Sequence, residues 1–102
     1  MRDFSRALRI YPKLTSALYN RGLEQLRAGK LTEARSDLTR AIELHPLDAQ
    51  AFNNRGLASL KLGNREAARR DFEQALSIDP GQKEARENLR RIQEDTARER
   101  SE

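Results

Sequence analysis

Few side chains in this 102-residue chain are of a type that does covalent or acid–base chemistry. The single histidine, His45, stands beside Pro46 where a helix should end, and no second histidine exists to form a metal pair. There is no cysteine, so thiolate ligands and disulfides are both excluded. No serine or threonine has a base spaced to activate it. The glycines are isolated, so no phosphate-cradling loop is formed. The chain is therefore expected to have no catalytic residues, no metal site, no cofactor and no enzymatic activity. What remains are polar residues that recur. Arg21 with Asp37 returns as Arg55 with Asp71, and Asn20, Asn54 and Asn88 stand at equal intervals. Guanidinium–carboxylate pairs hold structure more often than they bind ligands. A row of amides can donate to and accept from an extended peptide backbone, and these three are expected to face solvent when no ligand is bound.

The spacing that links these residues is thirty-four. Tyr19-Asn20-Arg21-Gly22-Leu23 returns as Asn53-Asn54-Arg55-Gly56-Leu57, and Ala34-Arg35-Ser36-Asp37-Leu38 as Ala68-Arg69-Arg70-Asp71-Phe72. A fixed period of this length means one supersecondary unit copied in tandem. Asp3-Phe4, Ala7-Leu8 and Ile10 match Asp71-Phe72, Ala75-Leu76 and Ile78 two periods on. Residues 1–12 thus read as the second helix of a preceding partial unit, residues 15–48 and 49–82 as full units, and residues 83–102 as a closing helix.

Apolar residues inside each unit recur at three- and four-residue steps, the mark of an amphipathic helix. The first stripe is Ala17, Leu18, Gly22, Leu23 and Leu26, opened at Thr15 or Ser16 and stopped by Gly29. The second is Ala34, Leu38, Ala41, Ile42 and Leu44, opened at Thr32-Glu33 and stopped by Pro46. The next unit repeats the pattern, with Asp48 as a helix cap, Gly63-Asn64 as the breaker, and Asp79-Pro80-Gly81 as the stop. Gly22 and Gly56 lie inside helices, where glycine costs about 1 kcal/mol relative to alanine. Their shared register implies close backbone approach, expected against Ala34 and Ala68. From Lys83 the stripe narrows to Ala85, Leu89 and Ile92, and beyond Gln93 the chain is almost wholly polar. That is the pattern of an all-α array with about six helices, ended by a cap with a solvated outer face.

Charged residues make up 35% of the chain with a net charge of +4. The basic residues are interleaved with acids rather than gathered on one face with stacking aromatics, which argues against nucleic acid. No apolar run approaches the roughly 20 residues of a membrane helix, and no apolar stretch follows Met1-Arg2-Asp3-Phe4 as in a leader. The compartment is left open, with the cytoplasm as the default.

These blocks resemble the tetratricopeptide repeat. The family pattern falls on Leu18, Gly22, Ala34, Leu38, Ala41 and Pro46, then on Phe52, Gly56, Ala68, Phe72, Ala75 and Pro80. Two positions depart from it: Arg21 and Arg55 replace the usual leucine before the small residue, and Gln25 and Ser59 replace an apolar residue three after it. The helix interiors are expected to be more polar as a result. An ion pair is expected to replace the missing leucine, either within a unit (Arg21 with Asp37, Arg55 with Asp71) or between units (Asp3 with Arg21, Asp37 with Arg55).

The resemblance implies antiparallel helix pairs stacked into a right-handed superhelix, an α-solenoid, with first helices lining a concave groove that binds an extended peptide. On that reading the candidate peptide-binding residues are Asn20, Asn54 and Asn88, with Tyr19, Leu23, Gln50, Asn53, Leu57 and Arg91 beside them. Ser16, Glu84 and Glu87 occupy neighbouring groove positions. The expected function is a non-catalytic interaction module within a larger protein, with a protein or peptide as partner. The competing class is an assembly scaffold that self-associates through Phe4, Leu8 and Ile10 at an open N-terminal edge. The family's co-chaperone subtype grips a C-terminal carboxylate with Lys, Asn, Asn, Lys and Arg. Here only Asn54 matches, while Tyr19, Leu23, Glu84 and Asn88 occupy the other positions.

Overall fold

The computed structural model describes residues 13–101. Five helices follow one another: α1 (Lys13–Arg27), α2 (Leu31–Leu44), α3 (Ala49–Lys61), α4 (Arg65–Ile78) and α5 (Lys83–Ser101). No strand occurs among the described residues. The helix expected over residues 1–12, and with it Phe4, Leu8 and Ile10, lies outside them.

The breaks between helices follow from local chemistry. Gly29 and Gly63 have φ of 80° and 89°, a left-handed conformation that glycine adopts without a Cβ penalty. Around them the Lys30 amide donates to the Gln25 carbonyl at 2.8 Å and the Gly29 amide to Leu26 at 3.2 Å; Asn64 to Ser59 (2.8 Å) and Gly63 to Leu60 (3.0 Å) repeat the arrangement. These paired bonds satisfy carbonyls that a helix end leaves open. Asp48 caps α3 by accepting from the Ala51 amide at 3.2 Å, and Asn64 caps α4 by accepting from Ala67 at 3.1 Å. Two expected starts are corrected. The helix runs through Thr15 and Ser16 from Lys13, so neither hydroxyl caps it, and α2 starts at Leu31 from Lys30 without a side-chain cap.

Helix α1 packs on α2 and α3 on α4, while α2 meets α3 and α4 meets α5. The core is built from small residues. Leu18, Ala41 and Leu44 form one cluster, Ala49, Ala75 and Ala85 a second, and Ala68, Phe72 and Ile92 a third. Alanine lets the helix axes approach, and the larger Leu38 and Phe72, fully buried, fill what is left. The close approach at the two helical glycines is present, but its partner is one turn further along than expected. A Cβ on Gly56 would stand 2.6 Å from Phe72 Cε1, and one on Gly22 2.9 Å from Leu38 Cγ. The Ala34 carbonyl oxygen is the third-nearest atom to Gly22, at 3.4 Å. The interior is also polar in places: Ser59 is fully buried and its hydroxyl has no hydrogen-bond partner among the described residues.

Candidate functional site

The recurring arginines close their ion pairs within each helix hairpin. Arg21 donates from Nε to Asp37 Oδ2 at 2.6 Å and from Nη2 to Oδ1 at 2.9 Å. Arg55 grips Asp71 in the same two-pronged way at 2.8 and 2.7 Å. Parallel two-point contact is the strong form of this interaction. The two pairs differ in setting, since the Arg21 side chain is 62% exposed and that of Arg55 only 22%. Arg55 also donates through Nη1 to Thr39 Oγ1 at 3.4 Å and lies 5.4 Å from the Phe52 ring centroid. The Asp37 carboxyl is held below the usual carboxylate range, chiefly by its hydrogen bond from Arg21. These arginines are spent on structure, as an ion pair replacing an apolar residue should be.

The amide row behaves differently from the expected solvated ladder. Helices α1, α3 and α5 lie side by side, and polar side chains bridge the seams between them. Tyr19 Oη donates to Gln50 Oε1 at 3.0 Å and accepts from Asn54 Nδ2 at 2.9 Å. Across the next seam, Asn88 Nδ2 donates to Asn53 Oδ1 at 3.1 Å, and Asn53 Nδ2 reaches Glu84 Oε2 at 3.5 Å. Asn53 and Asn54 are 2% and 7% exposed. The expectation that all three register asparagines face solvent is therefore corrected: Asn54 is buried in a seam, Asn88 is half-buried and bonded, and Asn20 alone is exposed. The physical reason is that the bonded pairs are offset by one residue from the period, Tyr19 meeting Asn54 and Asn53 meeting Asn88 at separations of thirty-five. That offset brings a phenol and amides within bonding distance where one period alone predicts only parallel display. Burial is the main cause that pushes the Tyr19 hydroxyl above its ordinary value, with the nearby Asp48 carboxylate next.

On this face α3 and α5 enclose an open concavity of about 440 Å³ lined by Leu57, Glu84, Glu87, Asn88, Arg91 and Lys83. The structure thus brings Leu57, Asn88 and Arg91 together around one hollow. Tyr19, Gln50, Asn53 and Asn54 form the seam bonds, while Leu23 is half-buried and Ser16 and Asn20 are exposed on α1. The participation of Tyr19 as a tie between helices was not foreseen from the sequence, although Tyr19 and Asn54 at a separation of thirty-five residues, one more than the period, carry the signal. His45 is exposed at the end of α2. No group of three or more His, Cys, Asp or Glu able to hold a metal occurs among the described residues, and none of the described helices is long and apolar enough to cross a membrane.

Comparison with known proteins bears on this geometry. No curated protein sequence matched. Among solved structures, the first TPR of Spaghetti (RPAP3), bound to the HSP90 peptide SRMEEVD, is similar at a TM-score of 0.80 and 29% identity, covering 92% of this chain and 75% of that one. The second TPR domain of the human RPAP3 protein, in complex with the HSP70 peptide SGPTIEEVD, is similar at a TM-score of 0.77 and 33% identity, covering 88% and 75%. The TPR domain of Arabidopsis OM64 shares the fold at a TM-score of 0.78 and 24% identity, covering 89% and 75%. A family model described as tetratricopeptide repeat matches residues 19–94. With the period, the glycine-breaker hairpins and the close approach of Gly22 to Leu38 and of Gly56 to Phe72 in agreement, the chain belongs to the tetratricopeptide repeat family.

Proposed function

We propose that this chain is a non-catalytic module that binds an extended segment of a partner protein across the face formed by α1, α3 and α5. The observation that carries the reading is the concavity over Leu57, where Asn88, Arg91 and Glu84 surround an apolar floor. A hollow with an apolar base and a few convergent polar groups is the usual form of a binding site. Support comes from the two similar domains, each of which is described with a bound peptide. Asn20, Leu23, Leu57, Asn88 and Arg91 meet the ligand. Tyr19, Gln50, Asn53 and Asn54 hold the helices in register beneath it, and the Asn54 Oδ1 atom, which takes no bond among the described residues, accepts from a peptide amide.

The peptides on those two domains end in acidic residues. Here Lys83 and Arg91 share the concavity with Glu84 and Glu87, and Tyr19, Leu23, Glu84 and Asn88 stand where a carboxylate-gripping groove would carry its basic and amide groups. The ligand of this chain is accordingly an extended segment without an acidic C-terminus.

Selection from a display library of unstructured dodecapeptides, followed by calorimetry, tests the reading. The Asn20→Ala/Asn88→Ala variant removes two neutral hydrogen bonds of about 0.5–1.5 kcal/mol each. Affinity should fall by roughly one to two powers of ten, at about 1.4 kcal/mol per tenfold. The peptide SRMEEVD serves as the contrast and should not bind. Unchanged affinity in a folded variant, or SRMEEVD as the tightest ligand, refutes the assignment.

A further inference from the structure

The α1–α3–α5 face repeats one register from helix to helix, and the interval between helices sets a length that a ligand must match. Leu23 on α1 and Leu57 on α3 stand one period apart, and both are half-buried, so each keeps some apolar surface open. Each lies three residues beyond an asparagine of the row, Asn20 and Asn54. Leu57 packs on the cluster of Ala68, Phe72 and Ile92 and lines the concavity. Tyr19 precedes Leu23 by one turn on the same side of α1. Its ring packs on Leu18, Ala41 and Leu44, while its hydroxyl is committed to Gln50 and Asn54. The third register position holds Arg91 in place of a leucine.

Side chains bond directly across both seams, at 2.9 Å between Asn54 and Tyr19 and at 3.1 Å between Asn88 and Asn53. Neighbouring first helices are therefore in contact, and packed helices have axes about 8–10 Å apart. A ligand lying across them must present apolar side chains at that interval on one side. A β-strand does not, because its same-side residues are two or four apart, at about 7 or about 13 Å. An α-helix matches the interval at seven residues, about 10.5 Å, but its backbone groups are bonded within it. Asn54 is only 7% exposed, and its Oδ1 takes no bond among the described residues; a helix backbone offers it no donor. A polyproline II segment meets both demands. Residues three apart project from one side at about 9 Å, and every backbone N–H and C=O is left open.

We propose that this face selects proline-rich segments in the polyproline II conformation, with apolar side chains three residues apart seated over Leu23 and Leu57. The proposal rests on the reading that an extended segment binds across α1, α3 and α5. The amide of the apolar residue over Leu57 donates to Asn54 Oδ1, one turn away on α3. The prolyl rings between the apolar pair cross the Tyr19–Asn54 seam and lie on the Tyr19 ring. Proline-rich segments dock in aromatic-lined grooves in this way, and here the bonded hydroxyl presents the ring in one orientation. Arg91 donates to backbone carbonyls beyond the pair. A segment extended before it binds loses little conformational freedom, which suits a shallow hollow.

The test uses the full chain and fluorescein-labelled twelve-residue peptides. The first carries Leu-Pro-Pro-Leu at the centre of a proline–alanine background. Two isomers of the same composition place the leucines two and four residues apart, and a fourth peptide keeps the three-residue interval with glycine in place of proline. The first should bind with amide shift changes at Leu23, Asn54 and Leu57. It should bind at least about tenfold more tightly than either isomer, which leaves one leucine in water, and severalfold more tightly than the glycine peptide. Leu57→Asn should abolish the preference for the three-residue interval. Should that variant fail to fold by circular dichroism, Leu23→Asn carries the same expectation. Equal or tighter binding of an isomer overturns the spacing, and equal binding of the glycine peptide overturns the conformation; both leave the groove's role standing. No binding of the first peptide, where a library-selected peptide still shifts Leu57 and Asn88, overturns this inference alone. If no peptide shifts this face, the reading on which it rests falls with it.

Discussion

Glycine 56 and serine 59 sit three residues apart on α3 and have opposite consequences for stability. A methyl at position 56 meets the rigid Phe72 ring at 2.6 Å, so Gly56→Ala should cost about 1–3 kcal/mol through overpacking. Gly22→Ala should cost less, because Leu38, which it meets at 2.9 Å, can change rotamer where a ring cannot. Urea titration of the two variants gives the order. Ser59→Ala should do the reverse. The buried hydroxyl has no partner among the described residues, and removing an unsatisfied group should raise stability by up to about 1 kcal/mol; a lower urea midpoint would show that the hydroxyl makes a bond after all. Both helical glycines were legible from their shared register. Their true neighbours were not, because periodicity identifies which helix faces which but not which turn of it makes contact.

At the scale of helix pairs, the two ion pairs answer the question that the sequence left open, whether they form within or between units. Spacing alone could not decide it, since Asp37 is one period from Asp71 and sixteen residues from Arg21 in a hairpin whose twist was unknown. Because Arg55 is more enclosed than Arg21, Asp71→Ala should cost about 1–3 kcal/mol by leaving a part-buried guanidinium unpaired. The Arg55→Leu/Asp71→Leu variant should recover most of that loss. Thermal melts of both check it. Acid should act through Asp37 as well. Its folded-state value lies below the unfolded one, so its contribution is present above about pH 4, the ordinary carboxylate value, and lost as pH falls through the folded value. Asp37→Asn should flatten the acid limb of a stability–pH profile. An unaltered limb would place the acid sensitivity elsewhere. The amide row was half legible: Asn20, Asn54 and Asn88 stood out by period, but the bond from Asn54 to Tyr19 spans thirty-five residues and is invisible to a period of thirty-four.

For the molecule as a whole, the helical array and its hairpins were legible because every break carries a glycine, a proline or an asparagine or aspartate cap. Of the two misplaced starts, Thr32 lies in a helix that begins without a capping side chain, and Thr15 lies inside a helix already described from Lys13. The closing helix gives a test at this scale. Removing Gln93–Glu102 takes away polar surface and the Arg65–Glu99 pair. Removing Lys83–Glu102 also takes Ala85 and Ile92 from the clusters that hold Ala75, Ala68 and Phe72. The longer truncation should aggregate and the shorter remain folded, as read by light scattering.

The seams between successive first helices also make the array a spring with a set pitch. Apolar contacts tolerate sliding, but a phenol bonded to an amide at 2.9 Å and an amide bonded to an amide at 3.1 Å are directional. They fix the small rotation from one unit to the next from which a solenoid's curvature is built. Tyr19→Phe keeps the ring and frees the hinge. The array should then flex about the α1–α3 seam, and solution scattering should show a broader distribution of end-to-end distances at nearly constant helix content. The groove's width is in this sense an elastic property, written into the side chains of Tyr19, Asn54, Asn53 and Asn88.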